Sequence, residues 1–174
     1  MRHRRGMNMR MGTIAGIFTL AMMALIAAPA RAAPTTVYVM RHLNTPEGQR
    51  DPDLTAEGQQ NAQRVRAWFT GKPLTAIYIS DFRRTRQTIA PLAVERGLTP
   101  VIYDPADPKA LIATIGGASG SVLIVGHSNT VPDLVEALGG DRPGPMTHPD
   151  FGDIWTIAGG KTDRVRIDLP PPAD

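Results

Sequence analysis

Residues 37–42 read Val-Tyr-Val-Met-Arg-His, an apolar run that ends abruptly in an arginine and a histidine. The run predicts a buried β-strand, and the polar pair falls where that strand leaves the sheet. In an open α/β sheet, ligands bind at this end of the strands. His42 is therefore a candidate reactive group, although an Arg-His pair alone also fits an ordinary strand end with two solvated side chains.

Strand-like and helix-like patterns alternate along the rest of the chain. Each further apolar run leads into a helix-like pattern through a short connection, and these runs are residues 76–79, 101–103 and 122–125. Residues 154–157 and 165–169 predict two last strands around a Gly159-Gly160 turn. The predicted fold class is α/β, a three-layer αβα sandwich whose mostly parallel central sheet carries helices on both faces.

Helix boundaries are also visible in the sequence. Thr55 is a good N-cap for a first helix, and Glu57 lies in its first turn, where the helix dipole favours an acid. A second helix is predicted to run to about Arg96, because Gly97 follows it. A last helix is predicted over about residues 130–138, before Gly139 and Gly140.

Three polar clusters follow three of the predicted strands, and these are Arg41-His42, residues 83–88 and residues 127–130. Because the carboxyl ends of parallel strands lie at one edge of a sheet, these side chains can meet in one pocket. Arginines beside histidines and helix N-termini form an anion site, most naturally for a phosphoryl group. The histidines lack a zinc-like spacing and the chain has no cysteine, so no metal or other cofactor is expected.

The combination resembles the histidine phosphatase superfamily, with its phosphoglycerate-mutase-like fold, over nearly all of residues 36–158. The matching pieces are Arg41-His42 with Thr45, Leu54-Thr55-x-x-Gly58, Ser80-Asp81-x-x-Arg84-Thr85-x-Gln87-Thr88 and Val125-Gly126-His127-Ser128. The resemblance implies a nucleophilic His42, a phosphate clamp of Arg41 and Arg84, and a second pocket histidine, His127. It further implies substrate contacts from the residues Thr45, Ser128 and Asn44.

The sequence departs from the family pattern in the first loop, where Leu43 replaces the usual glycine and Asn44 replaces a common acid or glutamine. The proton donor for the leaving group is open as well. Asp104 is the candidate general acid, and Asp51 and Asp53 are alternatives, while each also fits a turn or loop-capping role.

The expected function is hydrolysis of a phosphomonoester or phosphoramidate through a phosphohistidine on His42. A mutase of the same family is the first alternative, although Arg84 and His127 are only 43 positions apart, which leaves little room for a substrate-enclosing insertion. An inactive phosphate-binding module is the alternative from another class. His148 is expected at the surface, with the mouth of the pocket as a second interpretation.

The N-terminal segment predicts export. Four arginines precede an uncharged stretch over residues 11–30, and Ala30-Arg31-Ala32 supplies a small-residue cleavage site. We expect a signal peptide over residues 1–32 and one domain over residues 33–174, periplasmic or secreted, with an uncleaved membrane anchor as the competing interpretation.

The charge of the whole chain is dominated by this segment. Five of the 19 basic residues and none of the 16 acids lie in residues 1–32, so the remainder has 14 bases against 16 acids, or −2. The basic surplus therefore favours export over nucleic-acid binding, and the expected partner is a small phosphorylated substrate, without membrane contact after cleavage.

Overall fold

The computed structural model describes residue 1 and residues 33–167, and it confirms the α/β sandwich. Six strands form one sheet in the order β3-β2-β4-β1-β5-β6. The four strands from β3 to β1 are parallel, whereas β5 runs antiparallel to β1 and β6 antiparallel to β5. The predicted signal peptide lies outside the described residues.

The elements alternate as the sequence predicts. The strands are β1 Thr36–Arg41, β2 Ala76–Ser80, β3 Val101–Tyr103, β4 Ser121–Gly126, β5 Asp153–Ala158 and β6 Lys161–Arg166. The helices are α1 Ala56–Trp68, α2 Arg83–Arg96, α3 Pro108–Gly116 and α4 Val131–Ala137. None of the helices in the described part of the chain is long and apolar enough to cross a membrane.

Both faces of the sheet are buried, which explains why its central strands are apolar at consecutive positions. Tyr38 and Met40 face a core that α1 and α2 cover, while Val37 and Val39 face a second core that α3 and α4 cover. This period of two divides each strand between the two cores. The three layers therefore arise from helices packed on opposite faces of one sheet.

The first helix shows how the sequence positions the loop after β1. Thr55 caps α1 by accepting a hydrogen bond from the Gly58 amide at 3.0 Å. A Cβ atom on Gly58 would lie only 2.4 Å from the Asn44 carbonyl oxygen. Glycine at this position therefore lets the helix approach the loop that follows His42.

The boundaries predicted for the last strand are wrong. Residues 165–169 were expected to form it, but β6 begins at Lys161, directly after the Gly159-Gly160 turn, and ends at Arg166. Both glycines have positive φ, as a two-residue hairpin turn requires. As an edge strand β6 is mostly exposed and polar, so hydrophobic alternation does not mark its beginning.

Candidate active site

The carboxyl ends of β1, β2 and β4 lie side by side and bring members of all three predicted clusters to one cavity. The His42 amide extends the pairing of β1 with β4 by donating to the Gly126 carbonyl at 2.9 Å. A cavity of about 430 Å³ opens there, lined by His42, Phe82, Arg84, Pro105, Ala106, His127, Ser128, Asn129 and Thr130. The predicted meeting of His42, Arg84 and His127 is therefore present.

The imidazole of His42 is buried, and its proton position follows from one contact. Nδ1 lies 2.8 Å from the Leu43 carbonyl oxygen, which can only accept a hydrogen bond. Nδ1 therefore carries the proton, and Nε2 has the free lone pair. The Leu43 amide donates in turn to Thr88 Oγ1 at 3.0 Å, so α2 holds the residue whose carbonyl orients the ring.

His127 lies beside His42, with 5.4 Å between the ring centroids. Its Nε2 is 2.7 Å from Ser80 Oγ, and its Nδ1 is 3.3 Å from Arg84 Nη2. The Phe82 ring packs edge-on against it at 5.0 Å. Contacts from β2 and α2 thus hold both nitrogens of the second histidine.

Burial sets the protonation of both rings. Desolvation, helped by the nearby cations Arg41 and Arg84, lowers the pKa of His42 to about 3. The same causes, with Arg84 the nearer cation, lower the pKa of His127 to about 4. Both imidazoles are therefore neutral at neutral pH, the form in which a histidine is nucleophilic.

Arg84 is the member of its arginine cluster that reaches the cavity. Its side chain is only 14% exposed and stacks over the Phe82 ring at 4.2 Å. The side chains of Arg83 and Arg86 are 61% and 52% exposed and pair with Asp53 and Asp81. Burial lowers the pKa of Arg84, and the Asp51 carboxylate opposes that shift.

The loop after β1 holds this end of α2 through Asp51. Asp51 Oδ1 accepts from Arg84 Nη1 at 3.2 Å and from the Arg83 amide at 3.1 Å. Phe82, the N-cap residue, makes no side-chain capping bond within the described residues. The Asp51 carboxylate, distant in sequence, caps the helix instead. Asp51 therefore orients Arg84 while satisfying the first turn of α2.

Arg41 is buried beside His42 but does not line the cavity. Its Nη1 donates to the carbonyls of Thr147 at 2.6 Å and Asp150 at 3.1 Å, and Phe151 stacks on the guanidinium at 4.1 Å. Its buried Nε has no hydrogen-bond partner among the described residues. Burial lowers the pKa of Arg41, and the Asp150 carboxylate opposes this.

Three other predicted residues do not line the cavity. Asn44 Oδ1 accepts from Asn61 Nδ2 at 3.0 Å, and the buried Thr45 offers its carbonyl to His148 Nε2 at 3.1 Å. Asp104, the candidate general acid, caps its own turn by accepting from the Ala106 amide at 2.9 Å. These contacts stabilise loops around the site, whereas Ser128 does line the cavity.

His148, expected at the surface, is partly buried next to Arg41. Its carbonyl lies 3.4 Å from Arg41 Nη1, and its ring packs against Phe151 at 5.4 Å between centroids. Sequence reasoning missed the whole segment Thr147–Phe151 as a support of Arg41. No sequence signal links residues that are 106 to 109 positions apart.

The remaining residues of the motif on β2 and α2 have structural tasks. Thr85 Oγ1 donates to the Ser80 carbonyl at 2.7 Å, which closes the turn between strand and helix. Gln87 Oε1 accepts from the Leu54 amide at 2.8 Å, which joins α2 to the start of α1. Within the described residues no group of three or more acids and histidines could hold a metal ion.

Acid is expected to weaken the fold through the two buried histidines. Their folded-state pKa values lie below the unfolded value of about 6.5, so the unfolded chain binds more protons as the pH falls through 6.5. The stability present above that pH is then lost towards acid, by about 2 kcal/mol for each ring between pH 7 and pH 5. Urea unfolding at both pH values measures this.

A double variant, His42→Gln with His127→Gln, is the control for that measurement. Without the two titrating rings, its free energy of unfolding should change little between pH 7 and pH 5. An equally steep loss in the double variant would show that other groups cause the acid sensitivity.

Part of the sequence matches a known protein family. Residues 37–106 match the family model of the histidine phosphatase superfamily (branch 1). This range contains His42 and Arg84 and stops before His127. No curated protein gives a significant match to the chain.

Solved structures share the fold at low sequence identity. The protein histidine phosphatase SixA complexed with tungstate is 21% identical, with a TM-score of 0.55, over 75% of this chain and 94% of that one. A mycobacterial glucosyl-3-phosphoglycerate phosphatase with inorganic phosphate is 16% identical, with a TM-score of 0.57, over 75% and 95%. The alpha-ribazole phosphatase from Shigella flexneri is 14% identical, with a TM-score of 0.56, over 77% and 96%.

These findings agree with the arrangement of the site. The family model covers the strand that carries His42 and the helix that carries Arg84, and the similar structures extend the shared fold to most of the domain. Over residues 37–106 the chain matches the histidine phosphatase superfamily, and its fold is the one that these solved phosphatases share.

Proposed function

We propose that this protein is a phosphatase that hydrolyses a phosphomonoester or a phosphoramidate through a covalent phosphohistidine at His42. The observation that carries the proposal is the hydrogen bond from His42 Nδ1 to the Leu43 carbonyl, which leaves the Nε2 lone pair free in a ring that lines the cavity. The family match over residues 37–106 and the phosphatases among the similar structures support the same reaction class.

The first displacement forms the covalent intermediate. The Nε2 lone pair of His42 attacks phosphorus while the bond from phosphorus to the leaving group breaks, and the bonding pair departs with the leaving group. The ring then carries the phosphoryl group on Nε2. Its proton stays on Nδ1, which still donates to the Leu43 carbonyl. No proton has to leave His42 before the attack, because the low pKa keeps Nε2 unprotonated.

The second displacement regenerates the ring. A water molecule attacks phosphorus opposite Nε2, the bond between nitrogen and phosphorus breaks, and its electron pair returns to Nε2. The water loses a proton to the surrounding solvent, and inorganic phosphate is released. The two steps together consume one water molecule and restore neutral His42.

Cations around the cavity stabilise the charge on the transferred oxygens. Arg84 presents a guanidinium in the cavity wall, and Arg41 adds positive charge beside His42 with one buried N–H unpaired in the described structure. A hydrogen-bond donor that is fixed in place and poorly hydrated can lower the activation barrier by several kcal/mol, as single donors do in oxyanion holes. The scheme needs no metal, since the arginines neutralise the phosphoryl oxygens.

Protonation of the leaving group distinguishes substrate types. Among residues 33–167 no acidic side chain lines the cavity, and Asp51, which contacts Arg84, accepts hydrogen bonds there from Arg83 and Arg84. A carboxylate used as an acceptor in this way is poorly placed to donate a proton. The arrangement favours leaving groups that depart without protonation, such as phenolates, or that carry their own proton, such as phosphoramidates.

The mutase alternative is less well supported by the same cavity. A mutase must hold a phosphorylated product while it transfers the group to a second position. The residues between Arg84 and His127 form the rest of α2, the short strand β3, α3 and β4, and contribute only Pro105 and Ala106 to the cavity wall.

Release of inorganic phosphate from an aryl phosphate tests the proposed function. A phenolate needs no proton donor, so the wild-type protein should turn over this substrate many times per molecule without added metal and in the presence of a chelator. Tight binding of phosphate without any turnover would instead show a phosphate-binding module, the alternative from another class. Dependence of turnover on a divalent metal would contradict the proposed mechanism.

A further inference from the structure

Ser80 has a fully buried hydroxyl, and the reaction scheme gives it no task. It is the last residue of β2, its exposure is 0%, and its Oγ lies 2.7 Å from Nε2 of His127. It does not line the cavity. Any effect of Ser80 on a bound substrate must therefore pass through His127.

The contact on the other nitrogen of His127 shows which way this hydrogen bond points. Arg84 Nη2 lies 3.3 Å from Nδ1, and a guanidinium can only donate. Nδ1 therefore accepts, and a neutral imidazole that accepts at Nδ1 carries its proton on Nε2. It follows that Nε2–H donates to Ser80 Oγ.

The two histidines of the cavity thus have opposite tautomers. His42 is protonated on Nδ1, where the Leu43 carbonyl accepts, and His127 is protonated on Nε2, where Ser80 accepts. In His42 the unprotonated nitrogen is the attacking atom. In His127 the unprotonated nitrogen is the one that faces Arg84.

We propose that Ser80 is a positioning residue that keeps the ring proton of His127 on Nε2, so that Nδ1 takes up a proton when a dianionic phosphoryl group binds. The inference rests on the proposed function, because it requires a phosphoryl group beside His127. In the empty cavity Nδ1 accepts from Arg84. Once phosphoryl oxygens attract the N–H groups of Arg84, Nδ1 takes up a proton from solvent. The resulting Nδ1–H then donates a hydrogen bond to the phosphoryl group.

The charges around His127 account for the coupling. The charged and titratable groups that face the ring are Arg84 from α2, Arg41 and His42 from the end of β1, and Asp51 from the following loop. Two nearby cations against one carboxylate disfavour an imidazolium in the empty site. A bound dianion reverses that balance, while Ser80 still accepts from Nε2–H, so the protonated ring has an acceptor on both sides.

Nitrogen-15 spectra of the histidine rings test the tautomer in the absence of ligand. The wild-type protein should show His127 as the Nε2–H form and His42 as the Nδ1–H form, with assignment from the single variants His42→Gln and His127→Gln. In Ser80→Ala the His127 signal should report a mixture of tautomers, because Nε2–H has lost its acceptor. A wild-type His127 in the Nδ1–H form would overturn the proposal.

Calorimetry with tungstate, a tetrahedral dianion, tests the proton uptake. Titrations at one pH in two buffers of different ionisation enthalpy should show uptake close to one proton by the wild type. Ser80→Ala should take up clearly less and bind tungstate about ten-fold more weakly, as expected for a buried donor left unpaired. Ser80→Cys, of similar size but a weaker acceptor, should fall between them.

Ser121→Ala is the matched control, because it makes the same substitution at another buried serine, which begins β4 at the end of the strand opposite His127. It should keep the wild-type tautomer and proton uptake. If Ser80→Ala also keeps both, Ser80 has only a structural role and the proposal fails. If tungstate does not bind the wild type at all, the proposed function fails instead, and the ring spectra still decide the role of Ser80.

Discussion

Replacement of His42 by alanine should lower the turnover number for an aryl phosphate by about a thousand-fold or more. The change removes the nucleophile, so neither displacement can take place on the protein. The loss should appear in the turnover number itself, because the arginines that attract the substrate remain. Steady-state rates of phosphate release at neutral pH measure the effect.

The control for this variant is its ability to bind a phosphate analogue. His42→Ala should still bind tungstate, since Arg84 and His127 keep their contacts with Asp51 and Ser80. Loss of both turnover and tungstate binding would indicate a collapsed site. Full turnover in His42→Ala would remove His42 from the mechanism.

Arg84→Ala should lower the turnover number by about a hundred- to a thousand-fold, the range observed when one fixed donor to a developing charge is removed. Arg84 is the buried arginine of its cluster and reaches both His127 and Asp51. Arg84→Lys keeps the charge without the planar fork and should recover only part of the activity. All variants are compared on the same aryl phosphate.

Arg83→Ala and Arg86→Ala are matched controls on the same turn of helix. Both side chains are more than half exposed and form surface ion pairs, which are worth little. Both variants should keep near-native turnover. If either of them abolishes activity while Arg84→Ala retains it, the assignment of Arg84 to the phosphate site is wrong.

The sequence predicts the parts of the site that depend on strand ends. His42, Arg84 and His127 follow three parallel strands, and the sheet order places β1, β4 and β2 next to one another. The alternation of buried residues along a strand and helix caps such as Thr55 depend on neighbouring residues only. The structure therefore shows them where the sequence predicts them. The convergence of the three side chains is a direct result of this topology.

Other parts depend on contacts between distant segments, which a single sequence does not show. The carbonyls around Arg41 come from a loop more than 100 residues later, and Asp51 caps a helix from 32 positions away. Asp104 follows a strand end as the site residues do, yet its side chain turns back onto its own loop. Position at a strand end is therefore not sufficient for a place in the site.

Ser80 illustrates the same limit within a recognised motif. Its place at the end of β2 is predictable, but its partner depends on the rotation of the His127 ring across the sheet. The direction of the hydrogen bond between Ser80 and His127 then follows from the position of Arg84 beside Nδ1. No pattern in the neighbouring sequence predicts that direction.

The central claim, a phosphohistidine at His42, is tested most directly by trapping the intermediate. Protein mixed with phosphorus-32-labelled aryl phosphate is quenched rapidly in base, digested and mapped by peptide. We predict an acid-labile, base-stable label on the peptide that contains His42, formed as fast as the phenol is released and missing in His42→Ala. A label on any other residue, or turnover at the full rate with no label on His42, would contradict the account.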